Sequence, residues 1–302
     1  MSIRVRARSV DPRRRRGPHF VIIGAQRAGT TSLYQHLIQH PQVHPPLRKE
    51  VQFLSVYWGR GLPWYYRHFP VARRPEQRTC EASPYYLFHP DAPVRAAAAL
   101  PNARFIALLR EPVARALSHY GHNRANGVEP LSIEDALAAE RGRLDADRDG
   151  SAHRLFSYVA RGLYAEQVTR WREAVGDRLL VLLSDDLFRD PRQTFDRVQA
   201  FVGLDQWEPT DFQVHSPHRM IDGPPISASL RRRLQERFAA PNRTLADVLG
   251  RDLTEWYDDS SPSSAVVLGR SDGNDCGRPG QEREGQGTNE RGQVPEPRRS
   301  GR

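Results

Sequence analysis

The chain contains three short apolar runs with the length of strands that are buried on both faces. They cover residues 19–23, 104–109 and 178–183. The spacing of apolar residues between the runs, with the positions of proline and glycine, predicts helices at 30–39, 112–122, 131–143, 163–175, 191–202 and 229–238. Apolar strands that alternate with helices are typical of an α/β fold. We therefore expect a three-layer domain in which helices flank a central parallel sheet.

The two ends of the chain differ in composition from the middle. Residues 1–17 are rich in arginine, and residues 260–302 are rich in glycine, serine, proline, glutamine and charge. Segments of this kind cannot bury enough apolar surface to fold. We expect a disordered basic arm at 1–17, a folded domain at 18–259 and a disordered tail at 260–302.

The charge of the chain is strongly positive and almost entirely carried by arginine. The 302 residues include 45 Lys+Arg and 36 Asp+Glu, for a net charge of +9, and Lys49 is the one lysine. The excess is consistent with codon bias, a nucleic-acid surface or a local anion site. Many of the arginines fall in the two end segments without a basic-aromatic module, so we expect no nucleic-acid partner.

Several classes of protein are excluded by composition. No apolar run approaches the roughly 18–20 residues that span a bilayer. The two cysteines, Cys80 and Cys276, give neither a metal-binding spacing nor a disulfide framework. Membrane-spanning, disulfide-scaffold and zinc-module classes are therefore excluded, and we expect a cytoplasmic protein. The sequence leaves the oligomeric state open.

The first strand runs into a glycine-containing loop at 24–32, and a helix follows. Such a helix N-terminus presents backbone N–H groups and a positive dipole end to an anion. The loop matches neither the dinucleotide pattern GxGxxG nor the nucleoside-triphosphate pattern with Gly-Lys. An ordinary strand-turn-helix with a cap remains the alternative. The candidate anion-binding residues are Arg27, Ala28, Gly29, Thr30, Thr31 and Ser32.

We expect this site to work without a metal ion. Nucleoside-triphosphate enzymes hold Mg²⁺ with a loop hydroxyl and an acid at the end of another strand. The second predicted strand instead ends at a cation, Arg110. The third is followed by Asp185 and Asp186, which could supply such an acid. A magnesium site therefore remains an alternative.

A second candidate anion site follows the second strand. Arg110 lies at the carboxyl end of that strand, where open α/β sheets bind ligands. Ser118 follows eight residues later, about two turns into the next helix. An arginine and a hydroxyl held by two rigid elements could grip one phosphate together. The alternative is a strand-end ion pair beside a solvent-facing serine.

Taken together, GAQRAGTTSLYQHL and RFIALLREPVARALSHY resemble the sulfotransferase family that uses 3′-phosphoadenosine 5′-phosphosulfate (PAPS). Further blocks resemble it in the right order over about residues 18–257. They are RKEVQFLS, WYYRHFP, CEASPYYL, RGLYAEQVTRWREAVGDRLLVLLSDDLFRDP and APNRTLADVLGRDLTEW. The likeness is to the heparan-sulfate-type branch, the N-deacetylase/N-sulfotransferase and 3-O-sulfotransferase group and their bacterial relatives. It implies a P-loop-like fold, PAPS as co-substrate and no metal.

The resemblance also implies roles for the residues of the two anion sites. The loop around Gly29 matches the one that holds the 5′-phosphosulfate. Arg27 stands where the family usually has a lysine, and arginine keeps the charge but cannot donate a proton. Arg110 and Ser118 match the pair that holds the 3′-phosphate. Near the C-terminus the family closes a basic loop over the cofactor phosphate, and Arg219 is our candidate for that contact.

The resemblance further implies a catalytic pair. Glu50 matches the general base of the heparan-type enzymes, and Lys49 precedes it as in the family. A second family lysine is absent, because Ala82 follows Glu81 at that position. A surface charge pair is the alternative interpretation of Lys49 and Glu50. The histidines that could serve as rival bases are His36, His44, His119 and His122.

The predicted activity is sulfuryl transfer from PAPS to a hydroxyl or amine of a small-molecule, glycan or glycolipid acceptor. A kinase that uses ATP and Mg²⁺ and a non-catalytic PAPS-binding protein remain alternatives. Six aromatic residues lie between the loop and the second predicted strand: Trp58, Trp64, Tyr65, Tyr66, Tyr85 and Tyr86. We expect about half of them at the acceptor rim and the other half in the core. Since no long basic groove is evident, we expect a small molecule, lipid-linked sugar or natural product.

Overall fold

A five-stranded parallel sheet forms the centre of the protein in the computed structural model, which describes residues 17–71, 74–212 and 226–257. The strands lie in the order β2-β3-β1-β4-β5. Every pair of neighbours is parallel, and β4 pairs with β5 along its length from Phe105 to Leu109. The strands are β1 (Phe20–Gly24), β2 (Val43–His44), β3 (Arg78–Ala82), β4 (Arg104–Leu109) and β5 (Leu179–Leu183).

Helices cover both faces of the sheet. They are α1 (Thr30–Leu37), α2 (Gly61–Tyr66), α3 (Ala92–Ala99), α4 (Pro112–Ala125), α5 (Ile133–Asp145), α6 (Ser151–Leu155), α7 (Tyr164–Val175), α8 (Ser184–Arg189), α9 (Pro191–Val202) and α10 (Ala228–Leu249). Because side chains alternate along a strand, Val21 and Phe105 face α3 and α7, whereas Ile22 and Leu108 face α1 and α9. A third apolar cluster joins α4, α5 and α10. The α/β fold class predicted from the sequence is confirmed.

The predicted elements agree with the observed ones where the apolar pattern is strong. The strand at Arg104–Leu109 and the helix at Pro191–Val202 have the predicted bounds. The helix predicted at 229–238 is longer than expected, since α10 continues past Pro241 to Leu249. Six elements were missed: β2, β3, α2, α3, α6 and α8. They are short, and β3 carries Glu81 in place of a continuous apolar run.

The strand order brings the two predicted anion sites together. β1 and β4 are parallel neighbours, so the loop that follows β1 and the Arg110 that follows β4 lie at the same edge of the sheet. β3 pairs with the other side of β1 and ends at that edge too. The segment with Glu50 joins it there, because Glu50 N donates to Ala82 O at 3.1 Å. Arg219 and both predicted terminal segments, apart from Gly17, lie outside the described residues.

No helix in the described part of the chain is both long enough and apolar enough to cross a membrane.

We predict opposite effects of alanine at two glycines. Gly162 packs between α4 and α10, and a Cβ there would lie 2.8 Å from Phe238 Cε1 and 2.9 Å from Pro112 Cβ. Gly162→Ala should therefore lower the free energy of unfolding by about 1–3 kcal/mol through overpacking. Gly142 lies inside α5 with open space around it, so Gly142→Ala should raise that free energy by about 0.5–1 kcal/mol. Urea unfolding followed by circular dichroism measures both, and equal effects would contradict this packing.

Candidate active site

The loop after β1 is held rigidly at the edge of the sheet. Ala25 N donates to Leu108 O at 2.6 Å, and the Ser184 hydroxyl donates to Ala28 O at 2.7 Å. Gly29 caps α1 with a φ of 89°, and no side chain accepts from the first-turn N–H groups in the usual capping manner. A Cβ at Gly29 would lie 3.0 Å from the ring of Phe188. The loop thus has the backbone geometry of an anion site, and glycine is required at its last position.

The hydroxyl residues of the loop are placed unequally. Thr30 and Ser32 are buried in the first turn of α1, and Thr31 is half-buried. Ala28 is buried as well. Thr30, Ser32 and Ala28 can therefore offer chiefly their backbone N–H groups to a ligand, whereas Thr31 can also offer its hydroxyl.

The structure brings Arg27, Arg110 and Ser118 into one cluster. Arg27 Nε donates to Ser118 Oγ at 3.0 Å, and Arg110 Nη1 donates to Arg27 O at 3.2 Å. The backbone of Arg110 is held in place, because the Tyr164 hydroxyl donates to Arg110 O at 3.0 Å. The two anion sites predicted from separate motifs are therefore two sides of one site.

Three arginines, Arg27, Arg110 and Arg115, are close enough in this site to influence one another's pKa. Burial and the charges of Arg110 and Arg115 lower the pKa of Arg27. Burial also lowers the pKa of Arg110, although Glu111 beside it acts in the opposite direction. Arg115 is buried, and its Nε and Nη1 have no hydrogen-bond partner among the described residues. A phosphorylated ligand would relieve this repulsion, so the residues present fit a polyanion.

Arg161 connects the loop to the rest of the site. It donates to the side chain of Gln26 and to the backbone carbonyl of Arg154, and its guanidinium lies over the ring of Tyr85. Burial, followed by the charge of Arg115, lowers the pKa of Arg161 to about 9. Neither Arg115 nor Arg161 is among the site residues predicted from the sequence. Each lies in a block that carried the family resemblance, but spacing alone gave no reason to separate them from surface arginines.

Glu50 lies on the other side of the site in a strained backbone. Its carboxylate accepts from Lys49 Nζ at 3.0 Å and from Gln52 Nε2 at 3.3 Å. Among the described residues other than glycine, positive φ angles occur at Arg27 (71°), Glu50 (61°) and Gln52 (60°). Backbone strain of this kind concentrates at functional sites, where surrounding contacts hold it in place.

A buried carboxylate supports this strained segment. Glu81 is fully buried and accepts from the hydroxyls of Ser83 at 2.6 Å, Tyr86 at 2.7 Å and Tyr65. Ser83 Oγ and the Tyr86 hydroxyl in turn accept from the backbone N–H groups of residues 52 and 54, at 3.2 Å each. Burial raises the pKa of Glu81 even though these hydrogen bonds act against the rise. The network fixes the backbone on the C-terminal side of Glu50.

A cavity of about 380 Å³ opens beside Glu50. The residues that line it are Arg48, Lys49, Glu50, Gln52, Val56, Tyr57 and Arg154. None of the six aromatic residues considered for the acceptor rim is among them. Three of those six, Tyr65, Tyr85 and Tyr86, are buried, and the other three are half-buried. Tyr57 was missed because a lone tyrosine in a segment without regular structure carries no signal.

Among the rival histidines, His122 interacts electrostatically with both Arg27 and Glu50. Burial and the charge of Arg27 lower the pKa of His122, while Glu50 acts to raise it. His119 is buried, and burial followed by the charges of Arg161 and Arg115 holds its pKa well below the usual range. His36 is buried in α1, on the opposite face of the sheet from α7.

The two aspartates that could have bound a metal ion have other partners. Asp186 accepts two hydrogen bonds from Arg251, at 2.5 and 2.6 Å. Asp185 accepts from the indole N–H of Trp256 at 3.2 Å. Within the described ranges, no group of three or more His, Cys, Asp or Glu side chains is placed to hold a metal ion.

Removal of the Glu81 carboxylate should destabilise the protein. Glu81→Ala leaves the buried hydroxyls of Ser83, Tyr65 and Tyr86 without their acceptor, which should cost about 3 kcal/mol or more of unfolding free energy. Glu236→Ala is the matched control, because Glu236 is exposed on α10 and should change stability by less than about 0.5 kcal/mol. Chemical unfolding measures both, and similar values for the two variants would contradict the network.

Acid should destabilise the protein through His119, which is buried, and His153, which is half-buried. Burial and the charge of Arg161 lower the pKa of His153 to about 4, and the pKa of His119 is also depressed. The unfolded chain protonates both groups near pH 6.5, so it binds more protons than the folded chain below that pH. Stability is therefore lost as the pH falls from about 7 toward 4. The melting temperature should be lower at pH 5 than at pH 7, and His153→Gln should reduce that difference.

Comparison with known proteins agrees with this fold. A bacterial structure, the sulfotransferase from Alicyclobacillus acidocaldarius, superposes with a TM-score of 0.70 and 32% identity, over 80% of this chain and 100% of that one. The human heparan sulfate glucosamine 3-O-sulfotransferase 6 is 34% identical over 64% of this chain and 54% of its own length. Human bifunctional heparan sulfate N-deacetylase/N-sulfotransferase 3 is 32% identical over 62% and 22%, respectively.

The matches to these two curated relatives thus span 54% and 22% of their lengths. The sequence model of the family described as "Sulfotransferase domain" matches residues 17–218. That segment contains β1 to β5, the loop around Gly29, Glu50, Arg110 and Ser118. The chain belongs to the sulfotransferase domain family.

Proposed function

We propose that this sulfotransferase takes its sulfuryl group from PAPS and transfers it to a hydroxyl or amine of a small-molecule or carbohydrate acceptor. The observation that carries the proposal is the joint placement of the anion cluster and the cavity with Glu50. Arg161 bridges them, since it donates both to Gln26 of the loop and to Arg154 of the cavity. The catalytic domain is proposed to comprise residues 18–259.

The donor set of the anion cluster matches the two charged ends of this nucleotide. Backbone N–H groups at the start of α1, with Arg27 and Thr31, would hold the 5′-phosphosulfate. Arg110 and Ser118 would hold the 3′-phosphate with a cation and a hydroxyl. The hydrogen bond from Arg27 to Ser118 places the two binding points side by side. Arg219 is proposed to close over the nucleotide from outside the described residues.

Glu50 is proposed as the general base. PAPS supplies a sulfuryl group that is bonded to its 5′-phosphate. Glu50 takes the proton of the acceptor hydroxyl or amine, the acceptor atom bonds to sulfur, and the bond from sulfur to the phosphate oxygen breaks. Lys49 and Gln52 hold the two oxygens of the Glu50 carboxylate, so its orientation is set before an acceptor arrives.

Arg27 is proposed to stabilise the leaving side of the reaction. Negative charge passes to the 5′-phosphate as the bond to sulfur breaks, and a fixed guanidinium and backbone N–H groups lower the energy of that charge. Arginine keeps its proton at neutral pH, so Arg27 acts by charge and not as an acid. Because a sulfuryl group carries less charge than a phosphoryl group, these cations suffice for the proposed reaction without a metal ion.

The decisive test is Glu50→Gln, assayed with PAPS and an acceptor panel by mass detection of sulfonated products. Loss of the base should lower kcat by about 10²–10⁴-fold. The Kd for 3′,5′-adenosine bisphosphate should change less than about twofold. Glu173→Gln is the matched control, because Glu173 is exposed on α7, and it should keep full turnover.

Full turnover by Glu50→Gln with unchanged nucleotide binding would show that Glu50 is not the base. His122→Asn is the next variant in that case, because His122 lies within electrostatic range of both Arg27 and Glu50. A thermal shift with ATP and Mg²⁺ but none with 3′,5′-adenosine bisphosphate would favour the kinase alternative. Nucleotide binding without any sulfonated product would favour a non-catalytic protein.

A further inference from the structure

The cavity beside Glu50 contains more positive charge than the proposed base can balance. Three of its lining residues are cations, Arg48, Lys49 and Arg154, and Glu50 is the single carboxylate among them. The cavity is therefore electropositive, and the one negative charge among its lining residues, that of Glu50, is paired with Lys49. Its volume of about 380 Å³ lies within the range of pockets that bind small organic molecules.

The three cations are not equivalent. Lys49 is paired with the Glu50 carboxylate at 3.0 Å, and its side chain is 25% exposed. Arg48 is exposed, and Nη2 donates to the backbone carbonyl of Glu50 at 3.3 Å, which leaves its charge without a carboxylate partner. Arg154 is exposed on α6, and its guanidinium makes no hydrogen bond or ion pair with any residue of the described ranges. The guanidinium groups of Arg48 and Arg154 thus line the cavity without a carboxylate partner, and both are available to bind an external anion.

Val56 and Tyr57 give another part of the cavity wall an apolar and aromatic surface. Val56 is 45% exposed, although most valines are buried, and Tyr57 is half-buried beside it. Tyr57 is held by a ring contact with Trp64 at 5.3 Å between centroids and by its backbone N–H to Gln52 O at 3.0 Å. An aromatic ring beside an exposed aliphatic side chain offers a surface for a sugar ring or an aromatic group.

We propose that the acceptor is a small acidic molecule. Its carboxylate, sulfate or phosphate group binds Arg48 and Arg154, its ring lies against Tyr57 and Val56, and its hydroxyl or amine faces Glu50. This inference rests on the proposed function, because it assigns the cavity to the acceptor of the sulfuryl transfer. Arg48 and Arg154 are binding residues in this scheme and take no part in the proton transfer.

The main competing assignment is that the same arginines bind the nucleotide. The geometry separates the two groups of cations. The proposed nucleotide cluster is half-buried and connected to β1 and β4 through Arg27 and Arg110, whereas Arg48 and Arg154 are exposed around Glu50. Substitution of the exposed pair should therefore weaken acceptor binding and leave nucleotide binding unchanged.

The test is calorimetric titration of the protein saturated with 3′,5′-adenosine bisphosphate. The probes are 4-nitrophenyl β-D-glucuronide and its neutral carboxamide, which share ring, hydroxyls and aromatic group and differ in one charge. The acid should bind about tenfold more tightly than the amide, as expected for charge-assisted hydrogen bonds at a partly exposed site. Its affinity should fall when the salt concentration is raised from 50 to 300 mM, while that of the amide should not.

Arg154→Gln and Arg48→Gln should each reduce the preference for the acid to about threefold or less. Arg141→Gln is the matched control. Arg141 is 88% exposed and pairs only loosely with Asp145 at 3.6 Å, so this variant removes the same charge without effect on the preference.

The acidic-acceptor proposal is wrong if the wild-type protein does not bind the acid more tightly than the amide. It is also wrong if Arg154→Gln and Arg48→Gln weaken binding of 3′,5′-adenosine bisphosphate as much as that of the acid. Failure of the proposed function has a different signature, namely no binding of 3′,5′-adenosine bisphosphate by the wild-type protein. In that event the two probes are compared on the nucleotide-free protein, and the preference for the acid is judged by the same criterion.

Discussion

Arg27 donates to Ser118 and accepts through its carbonyl from Arg110, and these two hydrogen bonds join the loop of β1 to the end of β4. The contact places like charges together in a partly buried site, which costs electrostatic energy until an anion arrives. The fold sustains this cost because the loop is fastened elsewhere, at Ala25 and Ala28. The charge and geometry of this cluster therefore support the proposal that it binds a ligand with more than one negative group.

Glu50, unlike the arginine cluster, is held by neighbours that compensate its charge. Its own charge is nearly balanced, because Lys49 and Gln52 contact both carboxylate oxygens. Its unfavourable φ angle is maintained by the buried network that extends from Glu81 to the backbone of Gln52. A carboxylate that is positioned but still 45% exposed remains accessible to an acceptor. The two parts of the site thus differ in character: one gathers positive charge, and the other holds the Glu50 carboxylate, our proposed base, in a fixed orientation.

The sequence predicted the parts of the site that depend on local order along the chain. The loop around Gly29 and the strand that ends before Arg110 could be recognised because each is a continuous segment next to an apolar run. Strand β3 could not, since Glu81 interrupts its apolar pattern and its hydroxyl partners Tyr65, Ser83 and Tyr86 form no recognisable sequence pattern. Arg154 could not be predicted either, because its position beside Glu50 results from the packing of α6 and not from the spacing of residues along the sequence. Arg219 is still a prediction.

The lone lysine gains a physical meaning from these contacts. Lys49 is the one lysine in a chain whose remaining Lys+Arg residues are all arginine, and it contacts Glu50 through one compact ammonium group. An arginine there would present a planar fork able to engage both carboxylate oxygens, one of which is bound by Gln52. A single point charge fixes one oxygen and leaves the carboxylate free to accept a proton. The arginines of the cavity have the complementary task, because a planar fork suits the bidentate binding of an acidic group better than an ammonium does.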